Sequence, residues 1–173
     1  MGAVVQIFLD KRQLIDYIRN KGQITLKIPI VCEGSAESDE IVFIYDTGAY
    51  ITVICREDYE WYRLDKLPRK KTTIGGYVGS TPGYVYQIPG LRVGRRLLRG
   101  VWAFTPESMD IEQNLLGNNV IEYFNVVQDN QHDCFYFLNN PAPEPYTHPE
   151  SKFSFACDSV LILDDTSPGT GSG

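Results

Sequence analysis

Long apolar runs, an excess of positive charge and paired metal-ligand residues are all missing from this chain of 173 residues. Each absence removes a class of function. No apolar run approaches the length needed to cross a bilayer, so no membrane partner is expected. The start of the chain shows no basic region followed by an apolar stretch and a small-residue cleavage site. Cytoplasmic residence is therefore the expectation. Lys and Arg total 16 against 22 Asp and Glu, a net charge of −6, the wrong sign for nucleic acid as the main partner. The basic clusters Arg69-Lys70-Lys71 and residues 92–99 lack interleaved aromatics and read as solvated edges and turns. Cys32, Cys55, Cys134 and Cys157 show no Cys-x-x-Cys spacing and are expected to be reduced and partly buried. His132 and His148 lie far apart and form no ligand pattern with the cysteines, so neither a metal nor another cofactor is expected. A Gly-x-Ser-x-Gly elbow and a phosphate-cradling glycine loop are absent as well.

What is present reads as one mostly β domain with additions at both ends. Residues 1–22 form an N-terminal extension, with a strand over 4–9. The Asp10-x-x-Gln13 capping pattern then opens a helical face of Leu14, Ile15, Tyr17 and Ile18 that ends near Gly22. From residue 23 the period changes to two, with Ile24, Leu26, Ile28 and Ile30 alternating with Thr25, Lys27, Pro29 and Val31. Further strands are expected over 41–45, which reads as a buried run, and over 51–54. A glycine-rich hairpin with a moving tip spans 71–85. Leu91-Arg92-Val93-Gly94 turns into a strand over 97–104, and a last hairpin turns at Asp129-Asn130-Gln131. Many short strands imply an all-β barrel or sandwich over residues 23–140, with one or two short helices. Residues 141–173 read as a proline-rich linker, one possible strand over 153–163 and a disordered end.

The chemistry starts at Asp46-Thr47-Gly48-Ala49, a turn between two strand-like runs. An acid there is costly to desolvate unless something satisfies or uses it. Thr47 can hydrogen-bond around the turn, and Gly48 lets backbone approach the carboxylate. Downstream come the glycine-dense Ile74-Gly75-Gly76-Tyr77-Val78-Gly79 and then Asn114-Leu115-Leu116-Gly117-Asn118.

In this order and spacing, over roughly residues 24–138, these features resemble the retropepsin-like aspartic proteases of retroviral type. The chain looks like a free-standing cellular or bacterial relative. The resemblance implies a closed β-barrel with a flap hairpin, working as a symmetric homodimer that contributes one Asp46 from each chain. It makes Asp46, Thr47 and Gly48 the catalytic residues, with Thr47 hydrogen-bonding across the two-fold axis. Ala49, the flap residues Ile74, Gly75, Gly76, Tyr77 and Val78, and Leu115, Leu116 and Gly117 are assigned to substrate binding. The implied substrate is extended polypeptide, the chain's own tail near residues 141–149 included. Retroviral members often pair an acid after the Asp-Thr-Gly-Ala with an arginine after the later glycine. Those positions are Tyr50 and Asn118 here, so a different brace is expected. The competing reading is a non-catalytic peptide-binding or dimerisation module on the same barrel.

Overall fold

The computed structural model describes residues 11–32, 39–76 and 79–139. The expectations for residues 4–9 and 140–173, and for Tyr77 and Val78, lie outside the described residues. The strands are β1 (Leu14–Asn20), β2 (Gln23–Val31), β3 (Glu40–Tyr45), β4 (Thr52–Val53), β5 (Arg69–Gly76), β6 (Gly79–Val93), β7 (Arg96–Pro106), β8 (Leu115–Leu116), β9 (Phe124–Asp129) and β10 (Cys134–Asn139). Short helices occupy α1 (Arg56–Trp61) and α2 (Asn118–Ile121).

The neighbour order is β5-β6-β7-β4-β8-β3-β2-β1-β10-β9, and β6 also pairs with β2. That extra pairing, Ile30 opposite Leu91, closes β2, β3, β8, β4, β7 and β6 into a ring, so the barrel expected from the sequence is formed. Alternation explains the core. Leu26, Ile28 and Ile30 from β2 and Ile41 and Phe43 from β3 are fully buried, while their alternate neighbours face outward. The run over 41–45 is thus buried on one face only, with Val42 49% exposed. A smaller cluster of Ile51, Val85, Trp102 and Phe104 fills a separate part of the interior. Trp102 is buried there, whereas Trp61 ends α1 at the surface, 78% exposed.

Two local readings are corrected. The helix expected over 14–18 is instead strand β1. Leu14, Ile15, Tyr17 and Ile18 fit either period, and the pairing decides: Tyr17–Asn20 align with Gln23–Leu26, and Leu14–Asp16 with Cys134–Tyr136. Lys21 (φ 50°) and Gly22 (φ 80°) make the two-residue reversal whose left-handed backbone suits a tight hairpin. The turn placed at 91–94 lies later. Leu91, Arg92 and Val93 remain in β6, and Gly94 (φ 63°) with Arg95 reverses the chain so that Val93 faces Arg96.

Candidate active site

Asp46 stands where β3 ends. Its position follows from the insertion of β8 between the two strands that flank the loop. Ile44 and Tyr45 run parallel to Leu115 and Leu116, and Val53 of β4 lies antiparallel to Leu115 on the other side. The Asp46 N–H donates to the Leu116 carbonyl at 3.2 Å. The Leu-Leu pair therefore holds the two legs of the loop apart at a fixed width.

Gly117 permits this crossing. A Cβ there would sit 2.4 Å from the Ile51 carbonyl carbon and 2.7 Å from the Thr52 nitrogen, both backbone atoms that cannot rotate away. Gly117 donates its N–H to Thr52 Oγ1 at 3.1 Å. Thr52 is fully buried and is itself held by Asn119, whose Oδ1 accepts from both the Thr52 N–H and its hydroxyl at 2.9 Å. Asn119 Nδ2 donates to the Trp102 carbonyl at 2.8 Å. Asn114 makes a second buried junction. It accepts from the Cys55 N–H at 2.7 Å and donates to the Val42 carbonyl at 3.0 Å and to Asp58 Oδ2 at 2.6 Å. Buried amides with every arm engaged fix geometry, because breaking one leaves dry polar groups behind. Asn119→Ala is accordingly expected to lower stability by about 2 kcal/mol. Denaturant unfolding monitored by tryptophan fluorescence would measure the loss.

The loop itself is wet where it needs to act. Asp46 is half-buried, Thr47 and Gly48 are exposed, and Ala49 is half-buried. The Gly48 N–H donates to Asp46 Oδ1 at 2.9 Å, a bond that leaves Oδ2 unengaged by this contact. A side chain on Gly48 would press that oxygen at 3.2 Å. The Ala49 N–H closes the turn onto the Asp46 carbonyl at 3.3 Å.

A cleft of about 330 Å³ opens over Asp46. Of the residues assigned to it from sequence, Asp46, Gly48, Ala49, Ile74 and Leu115 line it. Thr47 lies beside it on the exposed loop. Leu116 does not reach it: this side chain is fully buried in the core, and Gly117 sits beneath the loop as a spacer. Gly75 and Gly76 belong to the end of β5, with Gly76 paired opposite Gly79. The sequence reading missed Tyr50, Ile51, Val53, Thr81, Phe104, Pro106 and Ile111, which also line the cleft. Strand alternation could have marked Val53 and Phe104, but only the fold brings β7 and residue 111 to this place. Asp46 is the one charged residue among the described lining residues. Burial raises the Tyr50 phenol above its ordinary pKa, keeping it neutral. Burial likewise pushes the nearby Cys55 thiol up, as suits an inert core cysteine.

Fold and loop together define the class: an all-β, retropepsin-like barrel with one Asp-Thr-Gly loop per chain. A crystal structure of a retropepsin-like aspartic protease from Rickettsia conorii matches with a TM-score of 0.53 at 20% identity, covering 72% of this chain and 87% of that one. No curated protein matches the sequence. The family model described as gag-polyprotein putative aspartyl protease matches residues 32–123, more than half of the chain, and the chain belongs to that family.

Proposed function

We propose that the chain is an aspartic endopeptidase whose site is completed by a second copy. The carrying observation is Asp46, held at its backbone by β8 and at its side chain by Gly48, facing a cleft whose other described lining residues are uncharged. Two carboxyls brought within a few ångströms share one proton, because both cannot ionise cheaply. The ionised Asp46 takes a proton from water as the water oxygen attacks the peptide carbonyl carbon. The protonated Asp46 of the other copy gives its proton to the carbonyl oxygen. Collapse of the tetrahedral diol, with proton transfer to the nitrogen, breaks the C–N bond.

The β5–β6 hairpin serves as the flap. Ile74 and Thr81 lie opposite each other across it and line the cleft, so closure would exclude water over a bound strand. Thr47 would meet its equivalent across the two-fold axis. Among the described residues β9 ends the strand order, an edge on which a second copy would build.

Ile51, Val53, Ile74, Phe104, Ile111 and Leu115 surround the acid. Large apolar side chains beside the cleaved bond are therefore expected to raise kcat/KM by about tenfold over small or charged ones. A peptide series varied at the two flanking positions checks this. The reading as a whole is tested by incubating the purified protein with unfolded casein from acidic to neutral pH. Cleavage blocked by a statine-type inhibitor, with specific activity rising as the protein concentration rises, supports it. Casein left intact at every pH and concentration refutes it.

A further inference from the structure

The loop that carries Asp46 makes few bonds of its own, yet two of its carbonyls are held from outside by one residue. Asn118 Nδ2 donates to the Thr47 carbonyl at 2.6 Å, and the Asn118 backbone N–H donates to the Ala49 carbonyl at 2.7 Å. Asn118 opens α2, in which Asn119, Val120 and Ile121 are all buried. Asn119 is tied in turn to Thr52 and Trp102. One end of this clamp is therefore anchored in the core, and the other grips the exposed part of the turn.

We infer that Asn118 is a positioning residue for the Asp46 loop, an inference that deepens the reading above and rests on it. The clamp takes alternate carbonyls, those of residues 47 and 49, so it fixes the Thr47–Gly48 and Ala49–Tyr50 peptide planes. The Gly48 N–H that orients Asp46 Oδ1 lies in the first of these planes, the one whose Thr47 carbonyl Asn118 holds. Loss of the side-chain donor frees the Thr47 carbonyl, and the Thr47–Gly48 peptide can then rotate. That rotation carries the Gly48 N–H off the carboxylate and turns Thr47 away from the position a second copy would meet. Every group in the clamp is neutral, so its strength does not depend on the ionisation of a side chain. The clamp acts within one chain, at positions where Tyr50 and Asn118 cannot form an ion pair.

The test compares wild type with Asn118→Ala, which removes the donor, and Asn118→Asp, which keeps the shape but replaces the donor by an acceptor. Amide exchange is followed at Gly48 and Ala49 and at core positions such as Phe43 and Val101. The expected result is exchange at Gly48 and Ala49 faster by about tenfold in both variants, with core rates unchanged. With an apolar peptide, kcat should fall about tenfold while KM stays within about twofold. Loop exchange equal to wild type overturns the inference. Exchange accelerated equally at Phe43 and Val101 also overturns it, because Asn118 would then serve the scaffold alone. So does faster loop exchange with kcat unchanged. If the wild type cleaves no peptide, the proposed activity fails, and the exchange comparison alone decides whether Asn118 holds the loop.

Discussion

Asp46→Asn is expected to reduce peptide hydrolysis by about 10²–10⁴-fold, the usual reach of a positioned acid–base group. The fold should be unaffected. The side-chain contact described for Asp46 is the Gly48 N–H on Oδ1, and an asparagine Oδ1 accepts that bond equally well. The residue is half-buried beside the cleft and contributes nothing to the core. Thermal midpoints of mutant and wild type should therefore agree within about 2 °C. The amide cannot take the water proton and cannot share a proton with a partner carboxyl, so the chemistry stops while binding persists. A tandem fusion of two copies sharpens the result. With Asp46→Asn in one half only, activity should be lost as fully as with both halves substituted. Half of the wild-type rate would mean that each chain acts alone. Equal casein cleavage by the wild type and the full mutant would leave the peptide-binding or dimerisation module as the better account.

The loop and its spacer were legible in the sequence because both rest on local chemistry. An acid, a hydroxyl and a glycine at a strand end announce a turn with a use. Two aliphatics followed by glycine announce a strand that must pass close to other backbone. Barrel closure was legible from the alternation in β2 and the number of short strands. The first strand is not legible in the sequence because Leu14, Ile15, Tyr17 and Ile18 satisfy two periods at once. Pairing with Cys134–Tyr136 is a contact across more than a hundred residues, invisible to any local pattern. The burial of Leu116 away from the cleft is hidden from the sequence for a related reason. In so short a strand, adjacent side chains take opposite faces, and only the sheet order shows that Leu115 meets the cleft while Leu116 meets the core. Asn114, Asn118 and Asn119 flank the motif in the sequence, where their hydrogen-bonding tasks leave no local sign. An asparagine reads as a turn residue until the fold shows what its amide holds: buried junctions at Asn114 and Asn119, the Thr47 carbonyl at Asn118.

Gly117→Ala should damage the fold and the site together. The φ of Gly117 is −91°, an ordinary value for any residue, so conformational strain is not the cause. Space is. The added methyl would lie 2.4–2.7 Å from the Ile51 carbonyl carbon and oxygen and the Thr52 nitrogen, and a real contact must open to well over 3 Å. The crossing segments must separate, and three bonds lie in the way. These are Gly117 N–H to Thr52 Oγ1, Thr52 N–H to Asn119, and Asp46 N–H to Leu116. Forcing volume into such a packed junction costs about 3 kcal/mol, the upper end of the usual range because the clash is with backbone. For a chain of this size that lowers the thermal midpoint by roughly 6–12 °C. Activity should fall further than stability accounts for, by about 10²-fold at temperatures where the variant remains folded, because the carboxylate moves with the strand that holds it. Calorimetry paired with a peptide assay well below the midpoint separates the two effects. A variant with wild-type stability and rate would show that β4 and β8 yield freely, and the account of how Asp46 is held would fall with it.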